Sequence, residues 1–253
     1  MLNRADWAIS LRPFPKPSMV GQGNPRRAEA RRLIADWSQR VEDMQDRPRL
    51  DQAEQVAIPG DMASLQAAIA EASQIRPGRS LYPQARERIR DWTSQVQTMQ
   101  DRPILDRARA LALSGNLPAA IQTVESIASG RALSGEAQRD LRDWRTQIQG
   151  QTQLQQAYQA ASSNTIAGLV SSIRIASQVS PNSSARAEAD RLIEASSQSL
   201  LQTAQAQSQS DLSSAIDTAE NIPSRSSAYD SAQSLIQEWR SRQEPAAPSS
   251  PSF

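Results

Sequence analysis

The chain has 253 residues with 28 basic and 27 acidic side chains, no histidine, no cysteine and 4% aromatics. Disulfides, Cys/His zinc sites and catalysis by a thiolate or an imidazole are therefore excluded, and Lys16 is the only lysine that could act as an amine nucleophile or grip a phosphate. With 38% apolar residues, alanine foremost, the chain can build only a thin core.

Taken in order, residues 1–24 contain Pro13, Pro15, Pro17 and Gly21-Gln22-Gly23 and are expected to be irregular. Arg4, Asp6, Arg12 and Lys16 interrupt any apolar leader there, and no stretch anywhere approaches 18 apolar residues. No membrane span is expected. A cytoplasmic location follows, with membrane association reserved for a longer form.

Residues 25–149 read as well-formed helical repeats. The string Ala85-Arg86-Glu87-Arg88-Ile89-Arg90-Asp91-Trp92 returns as Ala30 to Trp37, as Ala137 to Trp144 and, more loosely, as Ala232 to Trp239. The tryptophans stand 55, 52 and 95 residues apart, and the double gap holds a further copy whose matching position is read as Ala195. Between these strings, Arg49 to Ile75 and Ile104 to Ile127 each carry an apolar stripe at helical spacing, as in Leu105, Ala108, Leu111 and Ala112. Gly60-Asp61 and Gly115-Asn116 should end one short helix and cap the next. Asp46-Arg47-Pro48 and Asp101-Arg102-Pro103 should end the Trp helices, because proline restricts the residue before it and suits a first turn. Each unit of about 52 residues is thus expected to hold two short helices and a longer Trp helix. Since Gly23-Asn24-Pro25 aligns with the last third of a unit, the first unit lacks its short helices; either residues 1–24 cap it or the chain is the C-terminal part of a longer ancestral array, and instability or self-association of that N-terminal edge is expected.

Residues 150–243 read as degenerate helical repeats, with Ile166, Leu169, Val170, Ile173, Leu192 and Ile193 at helical spacing in a Ser/Gln-rich background; weaker packing is expected there. Residues 244–253, EPAAPSSPSF, are a disordered tail by composition. No segment alternates with period two, so the fold class is all-α: helical-hairpin repeats forming a short α-solenoid or curved bundle.

Two resemblances arise from these strings. Leu111 to Ile121, LALSGNLPAAI, resembles the centre of a tetratricopeptide repeat, although a period near 52 departs from that family's 34. Most of residues 25–242, through DRPILDRARALALSGNLPAAI and SLYPQARERIRDW, resembles helical-repeat segments of cyanobacterial proteins often labelled chromosome-segregation ATPases. That label implies an ATPase, but the chain has no G-x-x-x-x-G-K-[ST], and Lys16 sits in Pro15-Lys16-Pro17 with no helix to cradle phosphate.

No catalytic, cofactor-binding or metal-ligating residue is expected, and no cofactor. Trp37, Trp92, Trp144 and Trp239 could form an aromatic ladder for a ligand, but their register with Ile34, Ile89, Leu141 and Ile236 favours core anchors. Asp36, Asp91, Asp143 and Glu238 are about one repeat apart, too far for paired acid/base work, and read as surface carboxylates beside arginines such as Arg88 and Arg145. The expected function is a non-enzymatic scaffold or adaptor that presents a helical-repeat surface to a protein partner, its concave face near Gln66, Gln122 and Glu125. Net charge runs +4, 0 and −3 over residues 1–49, 50–149 and 150–253. Nucleic acid is not the expected partner, because arginines alternate with acids at helical spacing; a DNA-associated factor using Arg-rich residues 26–49 is the alternative.

Overall fold

A computed structural model describes residues 26–243. The expectations for residues 1–24 and 244–253 lie outside the described residues. Among the described residues there are nine α-helices and no strand. They are α1 (Arg27–Ala57), α2 (Met62–Ala72), α3 (Tyr82–Leu113), α4 (Leu117–Val124), α5 (Ser134–Ala161), α6 (Ile166–Ser177), α7 (Arg186–Gln207), α8 (Leu212–Ala219) and α9 (Tyr229–Gln243). Two compact units divide the chain between Asp101 and Arg102.

Long and short helices alternate, and this corrects the expected three-helix unit. α1 runs through Pro48 and α3 through Pro103, so neither Asp-Arg-Pro step ends a helix. Proline forfeits one backbone hydrogen bond in a helix interior, at a cost of about 3 kcal/mol. Just beyond each proline, however, lies fully buried apolar surface: Leu50 and Ala53 after Pro48, Leu105 and Ala108 after Pro103. Burial of those side chains outweighs the local preference.

The short helices begin where the sequence places them. Gly60 and Gly115 adopt φ of 72° and 84°, a left-handed conformation that costs glycine little. Asp61 then accepts from the Ser64 N–H at 2.9 Å, and Asn116 from the Ala119 N–H at 3.2 Å. Thr165 and Asp211 cap α6 and α8 in the same way.

In the first unit, Trp92 and Val96 pack on Ala53, Leu65, Ala68 and Ala72, while Leu50, Ile75 and Ala85 form a smaller cluster with Tyr82 against it. In the second unit one cluster joins Leu105, Ala108, Val124, Ile127, Leu133, Ala137 and Leu141, with Trp144 at its edge. A second cluster runs from Ala157 to Trp239 with twenty buried side chains, more than the seven of the first. The stretch expected to be weakly packed therefore supplies the larger cluster. Serine and alanine allow it, because small side chains on α6, α7 and α8 bury completely without demanding volume.

Candidate interaction surfaces

The repeated Trp position meets several different environments. Trp92 and Trp239 are 7% and 2% exposed, as expected of core anchors. Trp144 is half-buried, and Trp37 is 50% exposed. The reading of Ala195 as the missing copy is off by one: Ala195 is exposed, whereas Ser196, seven residues after Ala189 as Trp92 is after Ala85, is 2% exposed. Its hydroxyl has no hydrogen-bond partner, nor has that of fully buried Ser172.

The carboxylates before the tryptophans stay on the surface. Asp36 pairs with Arg40 at 3.0 Å and Glu238 with Arg242 at 3.6 Å, each one helical turn away, and Asp91 and Asp143 are exposed. The arginines expected beside them turn elsewhere: Arg88 to Glu54 at 2.8 Å, Arg145 to Glu125 at 2.6 Å. The Arg145–Glu125 pair recurs as Arg240–Glu220 at 2.6 Å, each arginine directly following a tryptophan. Gln66 and Gln122 are exposed, and Glu125 is exposed but bound to α5.

Sequence reasoning missed a second set of polar residues. In each unit a long helix holds the loop that precedes the next long helix. Asp46, 4% exposed, accepts from Arg79 Nε at 2.7 Å; Glu42 accepts from the Ser80 N–H at 3.2 Å, and Asp43 from its hydroxyl. Gln147 accepts from the Ser184 N–H and hydroxyl at 2.7 and 2.8 Å. Glu194 takes the Ser227 hydroxyl, the Ser227 N–H at 3.0 Å, the Ser226 hydroxyl at 3.0 Å and the Gln198 amide at 3.1 Å. These donors, the Ser227 hydroxyl above all, hold the Glu194 carboxyl down to about 2. Arg109 binds Asp140 at 2.6 Å and Glu136 at 3.1 Å, which raises the guanidinium and lowers the Glu136 carboxyl. These groups are consumed in structure. The signal in the sequence was the recurrence of Ser80, Ser184 and Ser227 two residues before the long helices or at their threshold, each 33 to 38 residues beyond its acceptor.

Among the described residues, depressions open on the surface of both units. In the second unit, one of about 370 Å³ is walled by Leu113, Leu117, Ala112 and Trp144 beside the Arg109–Asp140 pair, and Leu113 is 91% exposed. In the first unit, one of about 290 Å³ lies between Ile34, Trp37, Val41 and Arg79. A wider polar cleft of about 850 Å³ is bordered by Arg49, Arg76, Arg79 and Asp46. Among the described residues, no group of three His, Cys, Asp or Glu is placed to hold a metal ion, and no helix is long and apolar enough to cross a membrane.

No protein-family model, no curated protein and no solved structure matches this chain.

Proposed function

We propose that the chain is a non-enzymatic scaffold whose helical hairpins, repeated at about 52 residues in a solenoid-like array, present their surface to a protein partner. The alternation of long and short helices and the recurring tryptophan–arginine anchors support the repeat reading. One observation carries the binding reading: Leu113, 91% exposed, stands at a depression with Leu117 and Trp144, rimmed by the Arg109–Asp140 pair. An apolar centre with a charged rim is the anatomy of a protein-docking spot. The test is affinity capture from cells that make the protein, comparing the native chain with Leu113→Asp. The reading expects a bound protein that the variant loses while its melting temperature is unchanged. A captured set indifferent to Leu113 counts against it.

A DNA-associated role is the second reading, supported by Arg49, Arg76 and Arg79 around the polar cleft, although Asp46 already engages Arg79. It expects random duplex DNA to bind at about 50 mM salt and to be released as salt rises.

A further inference from the structure

The first half of α1 is the least covered helix surface in the first unit. From Arg26 to Gln45 no residue is buried, yet Leu33, Trp37, Val41 and Met44 are 46%, 50%, 40% and 69% exposed. An isolated helical segment of this length is marginal in water, and one with large apolar side chains on show gains its stability from packing. The same unit shows what this face does when it has a neighbour. Ile89, Trp92 and Val96 repeat Ile34, Trp37 and Val41 at the same spacing, and there the tryptophan and valine are 7% and 8% exposed against Ala53, Leu65, Ala68 and Ala72. Among the described residues, no equivalent of those covering helices precedes α1.

The stripe has its own geometry. Ala30, Ile34, Trp37, Val41 and Met44 follow one another at intervals of four, three, four and three, the seam of a short two-helix coiled coil. Its charges are segregated along the axis. Arg26, Arg27, Arg31 and Arg32 outnumber Glu29 at the beginning, whereas Asp36, Glu42, Asp43 and Asp46 outnumber Arg40 further on, where Arg79 also reaches Asp46. Such a helix complements itself when a copy runs the other way. With the two-fold axis between Ala35 and Asp36, Ile34 of each copy meets Trp37 of the other, Ala30 meets Val41, and the basic half of each copy, residues 26–35, lies along the acidic half, residues 36–45, of the other. Glu42 and Asp43 each retain acceptor capacity beyond their bonds to Ser80, since a carboxylate accepts at both oxygens. The depression of about 290 Å³ between Ile34, Trp37, Val41 and Arg79 is where the other copy's tryptophan would lodge. A parallel pairing would instead align like charges.

We propose that the Ile34–Trp37–Val41 face of α1 is a self-association surface, occupied by the same face of a second copy of this chain running antiparallel. This does not rest on the scaffold reading and can fail without it. The full-length chain should sediment as a dimer at about 50 μM and dissociate on dilution. Trp37→Glu should leave it monomeric with an unchanged circular dichroism spectrum. Arg31→Glu with Arg32→Glu, both exposed in the structure, should raise the dimer dissociation constant at least about tenfold by aligning like charges. Because the chain has no cysteine, single-cysteine variants carry spin labels without background. An antiparallel pair separates equivalent labels along the axis by about 3 Å per residue from the two-fold. Labels at Ala35→Cys should then be close, and labels at Ala28→Cys roughly 21 Å further apart along the axis. A monomer at 50 μM overturns the proposal, whether residues 1–24 or nothing covers the face. Equal distances at the two positions overturn the antiparallel arrangement, and a dimer unaffected by Trp37→Glu places the contact elsewhere.

Discussion

Trp37 and Trp92 occupy the same position of the same motif in the same unit, so truncating each to alanine separates sequence identity from burial. Trp92 is 93% buried by its 7% exposure and touches Ala53, Leu65, Ala68 and Ala72 from two helices. A tryptophan buries about 200 Å², which at about 25 cal/mol/Å² corresponds to roughly 5 kcal/mol before the alanine's own share is subtracted. Truncation also leaves a cavity between α1, α2 and α3, so the expected loss is about 3–5 kcal/mol. Trp37, 50% exposed, covers only about half that area and leaves no enclosed void, and alanine is the better helix former by roughly 0.5 kcal/mol. Its truncation should cost about 1 kcal/mol or less. Native-state hydrogen exchange of α2, which lies on Trp92, is the assay, run at about 1 μM so that self-association contributes little. Trp92→Ala should lower the opening free energy of Leu65, Ala68 and Ala72 by most of its cost, whereas Trp37→Ala should barely move it. Equal losses for the two variants would refute the premise that burial, rather than the motif, sets the energetic role of these tryptophans.

Three further outcomes follow from the second unit. Glu194, held down to about 2 against an ordinary 4.5, contributes stability that is complete above about pH 5 and is lost as pH falls towards 2. The loss should be on the order of 1–2 kcal/mol after solvent screening, and Glu194→Gln should flatten that part of the urea-midpoint profile against pH. Gly150, buried in α5, would place an added Cβ against the Ser183 hydroxyl and 2.7 Å from its Cβ. Gly150→Ala should therefore destabilise by about 1–3 kcal/mol despite better helix propensity, and Ser183→Gly should rescue it in the double variant, as read by thermal melting. Ser172→Ala and Ser196→Ala remove buried hydroxyls without partners and should each raise stability by about 0.5–1 kcal/mol in calorimetry; a drop would mean that the hydroxyl has a partner in solution.

Much of the local structure is legible in the chain because its causes are local. Gly60-Asp61 and Gly115-Asn116 specify a left-handed residue followed by a cap, and the structure places both there. Leu105 and Ala108, taken from the apolar stripe before Gly115, are fully buried. The candidate sites were less legible. Leu113 lies beside that stripe and looks like one more member of an apolar run; only the course of α5 past it decides that Trp144 comes near while Leu113 itself faces outwards.

What the sequence by itself determined, then, is the all-helical class and the caps at Asp61 and Asn116. These depend on residues within one or two turns of each other, where hydrogen-bond geometry and period leave few solutions. The tertiary structure decided the continuity of α1 and α3 through Pro48 and Pro103, the burial of Ser196 in a tryptophan's place, and the binding of Glu194 to Ser226 and Ser227. It also decided that Trp92 is covered and Trp37 is not. Each of those outcomes turns on a neighbour tens of residues away, whose burial free energy exceeds the preference of the local segment.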